Sequence, residues 1–308
     1  MKILIYGAGV IGSIFAGKLA ASGHDVTVLA RGNRAEEIRK NGITLFVPGK
    51  KEETLAVKVS DNLAADDLYD YIIVTMQRTQ IDSVLPILAD NQSMNIVFVV
   101  NTAGGYEKWA QAVGRERLML GFPSAGGERA NGKVSYFIGK GMMRLFQTTT
   151  FGDYTGRKTD RVRLLIKAFK RAGIPSVFCA DMDAWQKTHV AMVTSIASAL
   201  YRFDCNNYRL AKSFADVKLM MKGIKEGFLV LNKLGYSTTP FKLWYLKLPV
   251  WMTGSIFKMI MGTKLAEITM AKHCIAAKQE LLFLQAEFDE LIAKSGLRTP
   301  AIDQLRSK

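Results

Sequence analysis

The chain has 308 residues, 49% of them hydrophobic and 22% charged, a composition that excludes disordered and collagen-like classes and gives enough core for two domains. Its 42 Lys and Arg exceed its 27 Asp and Glu, for a formal charge of +15; a nucleic acid, a membrane face and a phosphorylated dinucleotide all answer such a charge. Three dispersed cysteines, Cys179, Cys205 and Cys274, form no CxxC pair, which argues against a disulfide framework or a zinc site and for reduced thiols in a cytoplasmic protein.

Taken in chain order, residues 2–6 form a short apolar run stopped by glycine, the pattern of a buried parallel strand and too short for a signal peptide. Residues 11–22 carry small and apolar side chains at helical spacing, and 25–30 read as the next strand. A helix start follows at 34–40, with further buried strands at 71–76 and 96–100. Asn131-Gly132 and Gly139-Lys140-Gly141 bracket alternating residues and predict antiparallel hairpin strands. Residues 159–172 form a basic amphipathic helix whose Val162, Leu165, Ile166 and Phe169 suit packing on a sheet, and 176–179 give a last strand. From Asp183 onward the pattern is helical, so a domain boundary is expected near 180–183, dividing the chain into residues 1–180 and 181–308. No apolar run reaches a bilayer span. The apolar stretch 243–261, broken by Lys247, Pro249, Gly254 and Lys258, is expected to face a core or cover a cleft.

The strongest motif is Gly7-Ala8-Gly9-Val10-Ile11-Gly12 between the first strand and helix. In that context the first glycine permits a tight turn, the second lets a pyrophosphate approach the backbone, and the third allows close packing, while free N–H groups at the helix start hold the phosphates. The second strand runs into Ala30 and Arg31, with Arg34 close behind and no acid to bind ribose hydroxyls. Arg31, assisted by Arg34, therefore predicts a 2′-phosphate and NADPH/NADP over NAD.

From these residues onward the chain resembles the ketopantoate reductase (2-dehydropantoate 2-reductase) family of pantothenate biosynthesis. The likeness runs through Gly23-His24-Asp25-Val26, Arg31, Asn41-Gly42-Ile43-Thr44-Leu45 and the closing Gly296-Leu297-Arg298-Thr299-Pro300. It implies an α/β fold, with an N-terminal Rossmann doubly wound sheet followed by an all-α C-terminal domain like that of 6-phosphogluconate dehydrogenase. It also implies an NADPH-dependent reductase of a small 2-oxo acid. Gln80 and Asn101 match the family's cofactor-side glutamine and asparagine. The lysine expected three residues before Gln80 is Gln77, however, and Thr102-Ala103 separate Asn101 from Gly104. Trp185-Gln186-Lys187 resembles the family's tryptophan-x-lysine, which makes Lys187 the general acid; the positive end of a helix dipole would disfavour its charged form and help it donate.

Glu280, at the family's offset from the closing proline, is implied as the second catalytic residue. Ser195 and His273 are weaker candidates for substrate contact. The family's asparagines four and eight positions after the lysine are Ala191 and Ser195 here, and Ile268 and Lys272 stand where a serine and an aspartate are expected. Such losses predict that ketopantoate itself is a poor substrate, improved by restoring asparagine at 191. No metal is implied. The partners implied are a small 2-oxo acid, no specific nucleic acid and no membrane span, with a homodimer left open. The competing reading is a non-catalytic NADP-binding regulator or scaffold that uses a basic surface.

Overall fold

The computed structural model describes residues 1–139 and 148–307, and the Lys140 and Gly141 part of the second expected turn lies outside them. By internal contacts the chain divides into two units, Met1–Val100 with Tyr106–Met182, and Asn101–Gly105 with Asp183–Lys308.

The first unit contains β1 (Lys2–Tyr6), α1 (Val10–Ala21), β2 (Asp25–Leu29), α2 (Gly32–Asn41), β3 (Ile43–Phe46), β4 (Glu53–Leu55), β5 (Lys58–Ser60), β6 (Tyr71–Val74), α3 (Arg78–Asp90), β7 (Ile96–Val99) and α4 (Glu107–Val113). It continues through β8 (Leu118–Phe122), β9 (Ala125–Ala130), β10 (Lys133–Ile138), β11 (Thr149–Asp153), α5 (Asp160–Arg171) and β12 (Ser176–Phe178). Eight strands make one sheet in the order β12-β11-β8-β7-β6-β1-β2-β5. Its pairings are parallel except where β11 runs against β8. Because both faces are covered, alternate residues of the central strands feed different cores. Ile3 and Ile5 of β1 pack with α1 and α5 side chains such as Phe15 and Phe169, while Leu4 and Tyr6 join Leu85 and Trp109 of α3 and α4. This is the doubly wound Rossmann arrangement expected from the alternating pattern.

Asn131 and Gly132 both take positive φ (49° and 77°) and close the β9–β10 hairpin, as a two-residue turn with left-handed centres requires. Sequence periodicity missed what this hairpin joins. β10 also pairs in parallel with β3, itself antiparallel to β4, so a second, four-stranded sheet is built from strands too short and too exposed to show a clean alternation. The expected basic helix is α5. Its Val162, Leu165 and Phe169 are buried, Arg163, Lys167, Lys170 and Arg171 lie outward, and Arg161 is paired to the fully buried Asp153.

The second unit is helical: α6 (Met182–Tyr201, its first residue belonging to the other unit), α7 (Asn207–Lys212), α8 (Phe214–Lys233), α9 (Val250–Met261), α10 (Lys264–Ala266), α11 (Lys272–Ala276), α12 (Lys278–Ser295) and α13 (Pro300–Arg306). A 3-10 segment, Phe241–Lys247, precedes α9, and a π-helical turn, Glu267–Ala271, joins α10 to α11. Val190, Leu200, Met220, Ile224, Leu284 and Phe288 are among the residues of its core. The 243–261 stretch departs from expectation. Leu246, Phe257 and Met261 are buried, but Trp244, Trp251 and Met259 project into solvent, Met259 at 77% exposure. No helix among the described residues is long and apolar enough to cross a membrane.

Candidate active site

The glycine-rich turn has the geometry its residue types demand. Gly7 sits at φ 113°, a region closed to most side chains, and its N–H donates to the Leu29 carbonyl at 3.2 Å. A Cβ on Gly12 would stand 1.9 Å from the Gly7 oxygen and 2.6 Å from Thr75 Oγ1, so helix, turn and β6 can meet only if this residue is glycine. A Cβ on Gly9, by contrast, would meet nothing within 4 Å. The backbone there is open, α1 starts with no side-chain cap, and its first N–H groups are available to an anion, with Ala8, Val10 and Ile11 carrying the rest of the turn.

Arg31 is the N-cap residue of α2, exposed, with no acid in the first turn of that helix. Arg34 is placed differently. Its guanidinium donates to the Ala8 carbonyl (3.3 Å), Ser13 Oγ (2.9 Å), Glu37 Oε2 (2.6 Å) and the Gly132 carbonyl (3.4 Å). It therefore braces the glycine turn from behind, with its donors directed to protein acceptors. Gln80 lies on the exposed first turn of α3, where its side chain accepts from the Gln77 N–H at 3.3 Å in a capping box.

The helical unit brings together a second set. Lys187 is 3% exposed, in the second turn of α6, and forms an ion pair with Asp183 one turn earlier. Its ammonium also lies 4.4 Å from the centre of the Tyr236 ring. Asp183 thus places a carboxylate beside the lysine, a partner that the sequence reading of Lys187 at a helix start did not include. A Cβ on Gly105 would come within 3.9 Å of both Lys187 Nζ and Asp183 Oδ1, so the 101–105 loop lies against the pair. Asn101, at the start of that loop, has a buried Oδ1 with no hydrogen-bond partner, and so does Thr238 Oγ1 in the segment after Tyr236. Thr239 N–H ties this segment to Thr188 Oγ1, next to Lys187, at 3.2 Å.

Glu280 is half-buried in the first turn of α12. Glu287, two turns further along the same face, reaches the 101–105 loop with its carboxylate. His273 lies on α11, near enough to His189 for its charge to disfavour protonation there. Close surroundings and that neighbour hold His189 down at about 4, and its ring stacks on Trp185 at 5.7 Å. Ser195 is 5% exposed; its hydroxyl donates to the Ala191 carbonyl at 3.0 Å and faces Gly223 of α8. Its hydroxyl is thus engaged within a helix crossing. Ala191 belongs to the same crossing: a Cβ on Gly227 would stand 2.9 Å from its own, so an asparagine at 191 has no room without moving α8.

Sequence reasoning missed Asp183, Gln186, Tyr236, Thr238 and Glu287. Asp183 was readable, since an acid four residues before a lysine on a helix is an ion-pair signal. Gln186 adjoins Lys187 but its partner, Thr102, does not, and Tyr236, Thr238 and Glu287 come from segments far away in the chain.

The family model described as Ketopantoate reductase PanE/ApbA matches residues 3–152. A 2-dehydropantoate 2-reductase of Mesorhizobium japonicum is 30% identical over 212 residues, a match that covers 61% of this chain and 63% of that relative, less than two thirds of its length. One of Aquifex aeolicus is 25% identical over 97% of this chain and 93% of its own. A solved ternary structure of D-mandelate dehydrogenase with NADH and anilino(oxo)acetate superposes with a TM-score of 0.78 at 19% identity, covering 99% of this chain and 96% of that one. Residues 3–152 thus match the Ketopantoate reductase PanE/ApbA family model, and over nearly its whole length the chain is similar to a 2-dehydropantoate 2-reductase.

Proposed function

We propose that this protein is a nicotinamide-dependent oxidoreductase that reduces a small 2-oxo acid to the 2-hydroxy acid, with NADPH as donor and Lys187 as proton donor. The observation that carries the reading is buried Lys187, paired to half-buried Asp183, lying against a loop that opens with the unpartnered Asn101 oxygen. The first unit suits the dinucleotide: the open backbone at Gly9 and the uncapped start of α1 fit a pyrophosphate, and exposed Arg31 with no neighbouring acid fits a 2′-phosphate.

A bound reduced nicotinamide supplies the hydride that reaches the carbonyl carbon. As the carbonyl oxygen gains the electron pair of its broken π bond, Lys187 Nζ gives it a proton and becomes a neutral amine. Asp183 then favours recovery of that proton from solvent. Tyr236 keeps one side of the ammonium apolar and dry, which strengthens its interaction with developing negative charge. In the helix crossing Ala191 has no side-chain hydrogen bond to offer, and the buried Ser195 hydroxyl donates to the Ala191 carbonyl, so neither replaces an asparagine's contact with substrate hydroxyls. That supports a 2-oxo acid other than ketopantoate, and the D-mandelate dehydrogenase likeness makes aryl 2-oxo acids a natural part of the test panel.

The deciding experiment follows NADPH consumption over a panel of 2-oxo acids that includes ketopantoate and benzoylformate. Turnover of at least one, faster with NADPH than NADH, is expected. Tight NADPH binding with no turnover of any member would move the assignment to a non-catalytic dinucleotide-binding protein.

A further inference from the structure

We propose that Glu287 is a positioning residue, which clamps the loop carrying Asn101 onto the helical unit so that Asn101 and Lys187 are held as one constellation. The inference rests on the reductase reading for its consequence but not for its geometry. In place of a simple asparagine–glycine turn after β7, this chain has Asn101, Thr102, Ala103, Gly104 and Gly105. Glu287 is 8% exposed, and its Oε2 accepts from Thr102 Oγ1 at 2.8 Å, from Ala103 N–H at 2.8 Å and from Gly104 N–H at 3.2 Å.

Two successive backbone N–H groups that converge on one point form an anion-binding concavity. Here the anion is a carboxylate of the chain itself, and charge-assisted bonds of this kind are stronger and shorter than neutral ones. Gly104 admits the approach: a Cβ there would stand 3.1 Å from Glu287 Oε1. A second tie comes from α6, where Gln186 Oε1 accepts from Thr102 N–H at 3.0 Å, one residue before Lys187. The loop is thus anchored from α12 by Glu287 and from α6 by Gln186, with Asn101 at its entrance and Gly105 against Lys187 at its exit. These five residues accordingly group with the helical unit, although the strand that precedes them belongs to the other.

The clamp also accounts for the inserted Thr102. Its hydroxyl donates to Glu287 and accepts from the Gly104 N–H at 3.1 Å, so the side chain completes the concavity that an asparagine–glycine turn would lack. Catalysis needs reacting groups held to within fractions of an ångström, and a displacement of about 1 Å costs on the order of 100-fold in rate. A loop released from Glu287 would keep its sequence and lose that precision.

The test compares Glu287→Ala, Glu287→Gln and Thr102→Val in the full-length protein by two measurements: hydrogen exchange at the Ala103 and Gly104 amides, and steady-state kinetics per folded molecule. Glu287→Ala should speed exchange at both amides and lower kcat by roughly 10- to 100-fold, with NADPH affinity little changed. Glu287→Gln, whose amide oxygen can accept the same three bonds, should retain protection and most of the kcat. Thr102→Val should fall between them, and this graded pair carries the test if the alanine variant does not fold. Unchanged exchange in Glu287→Ala would overturn the clamp. Faster exchange with unchanged kcat would overturn its positioning role and leave a structural staple. If the unmodified protein turns over no 2-oxo acid, the reductase reading fails; the exchange data alone then uphold the clamp by protection or overturn it by its absence.

Discussion

The two units solve the problem of holding a charged group in opposite ways. In the N-terminal unit the turn proposed to face the phosphates is made of backbone: Gly7, Gly9 and Gly12 shape it by lacking side chains, and Arg34 braces it with contacts to protein acceptors. In the helical unit the work is done by side chains from separate segments, with Lys187, Asp183 and Tyr236 at one end of the 101–105 loop and Glu287 and Gln186 gripping it. A backbone site depends on a few neighbouring residues and their dihedral angles. A side-chain site depends on where the whole fold delivers its elements. The first should therefore break abruptly at one position, and the second should degrade by steps.

Gly12 against Gly9 is the sharpest version of that contrast. Gly12→Ala drives a methyl into the Gly7 oxygen and Thr75, and should both lower the melting temperature, through overpacking worth about 1–3 kcal/mol or more, and abolish measurable NADPH binding. Gly9→Ala, in open space, should leave the melting temperature near that of the unmodified protein and weaken NADPH alone. Equal melting temperatures for the two variants would show that the turn is not the rigid element described.

Lys187→Ala should lower kcat by roughly 100-fold or more, the scale of a positioned proton donor, with little change in NADPH affinity by titration. Asp183→Asn should fall short of that loss, because it removes the counter-charge and leaves the donor. An alanine variant with undiminished turnover would remove Lys187 from the chemistry. Next in size, Arg31→Ala should weaken NADPH by roughly 10-fold, in keeping with the loss of one charge-assisted contact, and leave NADH almost unaffected. Equal affinities for the two dinucleotides in the unmodified protein would sink the 2′-phosphate assignment.

The smallest expected effect concerns pH, and it again separates the units. His189 of the helical unit is held down at about 4 from an ordinary value of 6.5, so between those values the unfolded chain takes up a proton that the folded chain refuses. Stability from this group is complete above pH 6.5 and declines as pH falls toward 4. Asp153 of the other unit is buried, which opposes its charge. Arg161 and donors from Thr155 and Thr159 outweigh burial and hold it at about 2, so its contribution persists until pH falls below 3.8. The melting temperature should thus drop by a few degrees between pH 6.5 and 4, and His189→Phe, which preserves the stack on Trp185, should flatten that drop. A drop unaltered by the substitution would assign it to other groups.

What could be read from residues alone was whatever short-range sterics decide. The Gly7 to Gly12 turn, the left-handed Asn131-Gly132 hairpin, the packed face of α5 and the missing acid beside Arg31 each depend on neighbours within a few positions, so residue type and spacing carry the information. Lys187 likewise lies near the start of a helix, as its position in the sequence suggests. Which carboxylate meets the loop after β7 was a different kind of question. Glu280 and Glu287 share one face of α12, and sequence offset singled out Glu280 as a catalytic candidate without addressing this loop. Only the folded chain, closing a separation of 184 residues, brings Glu287 to the Ala103 amide. The same holds for Ala191 and Ser195, which a linear comparison treats as lost substrate contacts and which packing turns into the floor of a crossing with Gly223 and Gly227. It holds for Arg34, drawn away from solvent by Ala8, Ser13 and Gly132, and for the parallel pairing of β3 with β10. In each case the residue has several acceptable partners. The choice among them was made by which backbones the fold brings within a few ångströms, a quantity that no local pattern contains.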